Sequence, residues 1–255
     1  MDRSKVISYF SAQAINGNWA SLYDPTNPIS YSFIQRFIKT VKLMQPIQGN
    51  ILDMGCGTGI LEKVVVENNA KYIGFDGAKE MIDACNKKFS DDIASGKAQF
   101  QLADSKHFKT DALIDCAVGM GYLEYFENPD ECLTEAKKHL KSGGKLILSF
   151  PHKNSLDNFG LFVLSPFRKL ATLLTGKNTP QPPRKYWQKN EAAELFERNG
   201  FKVTEIVFYN TSIVHYPFTK FAPKFSNLIA SAIEKSALNK IPFFSTGFII
   251  CAVKN

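Results

Sequence analysis

The chain has 255 residues, 44% of them hydrophobic and 22% charged, and its 31 Lys and Arg against 24 Asp and Glu give a formal net charge of +7. That is an ordinary globular composition, long enough for one large α/β domain or two small ones with a substantial core. The positive balance favours an anionic partner, whether a small substrate, a membrane surface or a nucleic acid, and does not choose among them.

The first 48 residues read as a helical, aromatic-rich preface with Tyr9, Phe10, Trp19 and Tyr23. From about 50 to 150, short apolar runs alternate with amphipathic ones, the rhythm of a parallel sheet with crossover helices. "NILDM", "YIGFD", "AQFQLA", "ALIDCAV" and "KLILSF" read as strands, with helices expected over 59–69, 78–90 and 129–140, the last closed by Ser142-Gly143-Gly144. A further helix is expected from Asn190, as its N-cap, to Gly200, as its stop. "FKVTEIVFY" and "TGFIICAVK" then read as two strands paired antiparallel at the sheet edge. Residues 151–189 and 211–245 exceed ordinary connections, and loops of that length are usually functional or carry helices of their own.

Cys56, Cys85, Cys116, Cys132 and Cys251 are scattered and odd in number, without the paired spacing of a metal site. They read as reduced thiols, and no metal is expected. "MDRSKVISYF" is not a signal peptide and no apolar run approaches the 18 residues of a membrane span, so a cytoplasmic location is expected.

The stretch "ILDMGCGTGI", residues 51 to 60, places Gly55, Gly57 and Gly59 directly after a strand. Glycines there turn the chain sharply into a helix and leave no side chain between backbone and ligand. The spacing is GxGxG, where a dinucleotide site would show GxGxxG. Asp76 closes the second strand about 20 residues on, where an acid accepts hydrogen bonds from ribose hydroxyls. Asp104 and Ser105 follow the third strand, where they can meet the amino edge of an adenine. Asp53 adds a third carboxylate. Three acids would repel a pyrophosphate and suit a ligand bearing an ammonium and a sulfonium.

Over roughly residues 45–150 the sequence resembles the class I S-adenosylmethionine-dependent methyltransferases, through "ILDMGCGTG", "GFDGAKEM", "LADS" and "LKSGGKLILSF" in that order. The resemblance implies a Rossmann-like, mostly parallel seven-stranded sheet with helices on both faces and an antiparallel C-terminal strand pair, in a single domain spanning 1–255. It implies S-adenosyl-L-methionine as cofactor. Gly55, Cys56, Gly57 and Gly59 would run along its methionine and ribose parts, with Asp53 serving loop or ligand. Asp76 would hold the ribose, Gly77 and Met81 would pack near the adenine, and Asp104 with Ser105 would face the exocyclic amine. Gly119 would lie beside the methionine.

The acceptor is narrowed by absences. No Asn/Asp/Ser-Pro-Pro-aromatic run follows the fourth strand, where "GMGYLEYFENP" stands, and no Pro-Cys context offers a nucleophile. Glu124 and Glu127 invite comparison with the paired glutamates of arginine methyltransferases, but their surroundings do not match and they read as solvated acids. What remains resembles small-molecule methyltransferases, including types acting in quinone and magnesium-porphyrin biosynthesis. There, residues 1–48 would form a lid, with Trp19 and Tyr23 bordering the cofactor or packing the lid, and 151–189 and 211–245 would be substrate-lid insertions. Those two stretches carry more than the whole excess charge: seven Lys and Arg against Asp157 in the first and four Lys against Glu234 in the second, so the rest of the chain is slightly acidic. Interleaved with Phe, Leu and Ile, these basic residues suit peripheral membrane contact or a pocket for a lipophilic or anionic acceptor.

Methyl transfer is an in-line displacement, and a base is needed only where the acceptor arrives protonated. His152, just past the fifth strand, and His215, in the second insertion, are the candidates; a structural place is the alternative for each. The expectation is methyl transfer to a small acceptor, with oxygen the favoured atom. The alternatives are N- or C-methylation, a nucleic-acid-binding methyltransferase, and a SAM-binding module without turnover; a nucleic-acid partner is disfavoured.

Overall fold

The computed structural model describes residues 3–24, 27, 30–163, 165, 182–211, 221–236, 238 and 241–255. Its strands are β1 (Asn50–Met54), β2 (Lys71–Asp76), β3 (Ala98–Leu102), β4 (Ile114–Gly119), β5 (Leu140–Pro151), β6 (Phe201–Thr211) and β7 (Ser245–Lys254). They form one seven-stranded sheet in the order β3-β2-β1-β4-β5-β7-β6. The first five run parallel, and β7 is antiparallel to both neighbours, with Leu146 opposite Ala252 and Val207 opposite Ile249. The order and directions are those the motifs imply: a Rossmann-like, mostly parallel seven-stranded sheet with an antiparallel C-terminal strand pair.

The apolar runs are continuous because both faces of the central strands are covered. Leu52, Met54, Ile73, Phe75, Leu148 and Phe150 point into one core, where α7 (Pro129–His139) adds Leu133 and α9 (Lys189–Arg198) adds Leu195 and Phe196. Ile51, Tyr72, Cys116, Val118 and Ile249 point into the other, closed by Leu43 and Met44 of α3 (Tyr31–Met44) and by α5 (Lys79–Lys88). Arg198 grips Asp130 with two hydrogen bonds of 2.7 Å, and Asn199 donates to the same carboxylate at 2.8 Å, joining α9 to α7.

Several boundaries differ from the sequence reading for local reasons. Helix α4 (Glu62–Glu67) starts late because the glycine turn consumes the residues before it. Helix α7 ends at His139 and runs directly into β5, so Ser142-Gly143-Gly144 lies inside the strand; Ile114 already pairs with Leu140, and the register shifts before Cys116. The N-cap of α9 is Gln188, not Asn190. Within the two long stretches lie α8 (Leu156–Val163) and α10 (Pro223–Glu234).

One buried residue ties the first long stretch to the sheet. Trp187 is 1% exposed, its ring stands edge-on to Phe150 at 5.5 Å, and Lys185 Nζ lies 3.6 Å from its centroid. Its amide donates to the Pro151 carbonyl, and its carbonyl accepts from the Lys153 amide, both at 2.9 Å.

Asp53 is the buried carboxylate of the second core. Its Oδ2 accepts from the Tyr72 hydroxyl at 2.8 Å. Burial pushes its carboxyl up to about 7, the Tyr72 hydrogen bond opposing and the charge of Asp76 adding to the rise.

Replacing Trp187 by Ala is expected to lower unfolding free energy by about 3–5 kcal/mol, the usual cost of deleting a buried aromatic, read from urea midpoints. Asp53 has a pH signature. Between the ordinary Asp value of about 4 and its folded value, the folded chain keeps a proton that the unfolded chain has lost. Its contribution is therefore intact at low pH and is lost as pH rises toward 7. Asp53→Asn keeps an acceptor for Tyr72 without the charge, so it should lose less stability than the wild type between pH 5 and 8. Parallel loss in both proteins would refute this.

Candidate active site

Strand order reverses between β1 and β4, and in open α/β sheets ligands bind beyond the strand ends at that point. A cavity of 420 Å³ lies there, within the range of small-molecule sites, roughly 300–1,000 Å³. Its floor is the loop after β1. The amides of Gly55 and Cys56 both donate to the Phe75 carbonyl at 2.9 Å, drawing the loop across the end of β2. The Gly57 amide donates to Asp76 Oδ2 at 3.0 Å, while Asp76 Oδ1 accepts from the Ala78 amide at 2.8 Å. Burial raises the Asp76 carboxyl above its ordinary range, against the pull of the Ala78, Gly57 and Gly77 amides.

The roof is α1 (Arg3–Ile15) and α2 (Asn18–Ser21). Arg3, Val6, Ile7 and Phe10 recur at helical spacing, and all four line the cavity. Phe10 meets Trp19 edge-on at 5.2 Å and Tyr125 at 5.4 Å. Roof and floor touch at Gly57, whose φ is +53°: a Cβ there would lie 2.6 Å from Trp19 Nε1.

Of the residues singled out from sequence, Phe10, Trp19, Gly55, Gly57, Asp76, Gly77, Met81, Ser105 and Glu127 line this cavity. The others stand apart from its lining. Gly59 turns to the protein interior, where a Cβ would strike Phe89 at 2.7 Å. Cys56 is buried beneath the loop, and burial pushes its thiol well up. Asp53 lies below the floor with Tyr72. Gly119 packs on Leu148. Asp104 is committed to the roof and its own turn: Oδ2 pairs with Arg3 at 3.1 Å, and Oδ1 accepts from His107 Nδ1 at 2.7 Å. Burial would raise its carboxyl, but the hydrogen bonds from His107 and the charge of Arg3 hold it below the ordinary range. Tyr23 packs edge-on to Phe33 at 5.6 Å and accepts from Arg36 Nη2 at 2.9 Å.

His152 is buried away from the cavity, on the far strands. Its Nδ1 donates to the Ser245 carbonyl at 3.2 Å, its ring packs on Phe208 and Phe248, and burial lowers its pKa. His215 lies outside the described residues. Glu124, expected to be solvated, is 5% exposed.

Sequence reasoning missed the α1 face, although its spacing in "RSKVISYF" carried the signal. It also missed Met120, Gly121, Tyr122 and Phe126, which follow β4 and complete the wall. No periodicity marks those four.

The bare floor fits S-adenosylmethionine. At Gly55 a Cβ would lie 2.5 Å from the Tyr122 ring, so the backbone alone occupies the space where ligand and aromatic wall meet. Asp76 stands beside it, and a carboxylate there can accept hydrogen bonds from hydroxyls.

Comparison with known proteins agrees. A family model described as a methyltransferase domain matches residues 29–206. A ubiquinone biosynthesis O-methyltransferase of Pelagibacter ubique is 23% identical over 204 residues, covering 78% of this chain and 82% of that protein. One from Dinoroseobacter shibae is 26% identical over 188 residues, covering 69% and 71%. The crystal structure of magnesium protoporphyrin IX methyltransferase from Synechocystis, with bound S-adenosylhomocysteine, superposes with a TM-score of 0.69 at 18% identity, covering 100% of both chains. With more than half its length matched by that family model, the chain belongs to the methyltransferase-domain family and is a class I S-adenosylmethionine-dependent methyltransferase.

Proposed function

We propose that this enzyme methylates an oxygen of a small acceptor molecule, and that the cavity under α1 is where the cofactor binds. The observation that carries the site assignment is Asp76 standing beside the bare floor of Gly55 and Gly57. Asp76 would accept the ribose hydroxyls, Gly77, Met81 and Ser105 would border the adenine, and Trp19 with Phe10 would cover it from residues 1–48, which act as the lid. Met120 and Gly121 would face the methionine. The two bacterial ubiquinone biosynthesis O-methyltransferases support oxygen as the methylated atom.

S-adenosylmethionine supplies, when bound, a methyl group on a sulfonium. The chain's own task is to position and to exclude water. The apolar faces of α1 shed water from above, and Tyr122, Tyr125 and Phe126 do so from the side. His152, expected as a base, is held between β5 and β7 with Nδ1 occupied, and we assign it a structural place. The five cysteines are free and buried, which supports the cytoplasmic setting. No described helix is long and apolar enough to cross a membrane.

The second long stretch supports peripheral membrane contact as well. Phe221, just before α10, and Phe225 and Leu228 on it are 79%, 61% and 68% exposed, at helical spacing and with Lys224 among them. An apolar ridge flanked by lysine suits an anionic bilayer surface.

Calorimetric titration with S-adenosylhomocysteine should show binding to the wild type, weakened about tenfold in Asp76→Asn and about a hundredfold in Asp76→Ala, in line with roughly 1.5–3 kcal/mol for hydrogen bonds to a charged group. Equal affinity in all three would remove Asp76 from the site. In co-sedimentation with phosphatidylglycerol vesicles at low salt, the wild type should pellet and a Phe225→Ser, Leu228→Ser double variant should stay in solution. A wild type that stays in solution ends the membrane reading.

A further inference from the structure

Beside the cofactor cavity, two ionisable side chains are buried with atoms left unsatisfied. Arg36 reaches from α3 until its guanidinium presses on Gly121, where a Cβ would lie 2.8 Å from Nη1. Its Nη2 donates to the Tyr23 hydroxyl, and the Phe33 ring lies 5.1 Å from its central carbon, yet its Nε has no partner. Glu124 sits on the short 3-10 turn Leu123–Tyr125 after β4, and its Oε2 also has no partner. Arg36 and Glu124 are 8% and 5% exposed. Each lies in the other's field, but no ion pair joins them.

A buried donor and a buried acceptor left open within each other's field are costly, the more so when both groups are charged. They are also within reach of the cavity. Gly121, against which Arg36 rests, and Tyr125, the residue after Glu124, both line it. The Tyr125 hydroxyl stands in the field of Glu124, Arg184 and Arg36. The pair thus lies directly behind the cavity wall formed by Gly121 and Tyr125.

We propose that Arg36 and Glu124 form the polar end of the acceptor site, and that the acceptor is a small hydroxylated carboxylic acid: its carboxylate takes the open donor of Arg36 and its hydroxyl donates to the open oxygen of Glu124. This rests on the methyltransferase site assigned above. Two guanidiniums, Arg36 and Arg184, set against the single carboxylate of Glu124 leave one positive charge over, which suits a monoanion. Burial holds the Glu124 carboxyl above its ordinary range while Arg36 and Arg184 pull it down, so it is a ready partner for a hydroxyl proton. Phe33, Tyr23 and Tyr125 give the site aromatic walls.

The test uses three probes, 3-hydroxybenzoate, benzoate and phenol, titrated into protein saturated with S-adenosylhomocysteine. The wild type should hold 3-hydroxybenzoate at least tenfold tighter than either simpler probe. Arg36→Met should lose about tenfold for both carboxylates and keep its affinity for phenol. Glu124→Gln should weaken 3-hydroxybenzoate and phenol while leaving benzoate unchanged or tighter. Both variants should bind S-adenosylhomocysteine as the wild type does, and loss of that binding in the wild type would instead overturn the cofactor assignment. Glu124→Gln preserves shape and decides the matter alone if Arg36→Met fails to fold. Equal affinities for the three probes in the wild type, or a ranking that neither variant alters, would overturn the proposal.

Discussion

The Phe75 carbonyl accepts two amides, those of Gly55 and Cys56, and the rest of the site depends on that convergence. It forces the chain leaving β1 to lie over the end of β2 instead of continuing upward. Only then does the Gly57 amide reach Asp76, and only then do the bare faces of Gly55 and Gly57 become a floor. Floor and covering are interlocked: Trp19 from the preface and Tyr122 from the β4 end occupy the volume that side chains at those glycines would fill. A substitution at either glycine would therefore disturb the covering and the floor together.

The carboxylates divide by depth. Asp53, two residues before Gly55, is enclosed with Tyr72, and burial opposes its ionisation. Asp76 stands at the cavity wall and is met by backbone amides. Its charge adds to the rise at Asp53. A cationic ligand above Asp76 would relieve that repulsion and favour the ionised state of both. Although the chain as a whole is cationic, Glu127 and Glu131 add acidic groups to the lining beside Arg3 and Lys106. The site's local field thus differs from the molecule's net charge.

What the sequence disclosed follows from which signals are local. The central strands could be read because burial on both faces leaves unbroken apolar runs, and Asp76 could be read because its place is fixed by the end of β2. The third glycine reads as a ligand contact, but a Cβ at Gly59 would meet the rings of Phe89 and Phe100, which belong to elements far along the chain. His152 looked catalytic because it follows a strand end, but β7 pairs antiparallel beside β5 and the Ser245 carbonyl captures its ring. Glu124 looked solvated because it sits in a turn between a strand and a helix. Its burial comes from Arg36 on α3 and from the chain near Lys185, whose amide bonds the Glu124 carbonyl, contacts no local pattern reveals.

The division between shared and particular parts follows the sheet. The family model begins at residue 29, after α1 and α2, yet those helices supply Arg3, Val6, Ile7, Phe10 and Trp19 to the cavity. The floor is thus built by the matched core, and the roof by residues outside it. In α1 only Val6 is buried, so the helix gains little hydrophobic free energy from the protein alone. Its remaining hold comes from contacts such as Arg3 with Asp104 and Phe10 with Tyr125. Elements held by so few buried contacts open at low free-energy cost, whereas the floor is fixed within a seven-stranded sheet. With the cofactor in the proposed site, access would be governed by the preface, and the geometry of the bound ligand by the sheet.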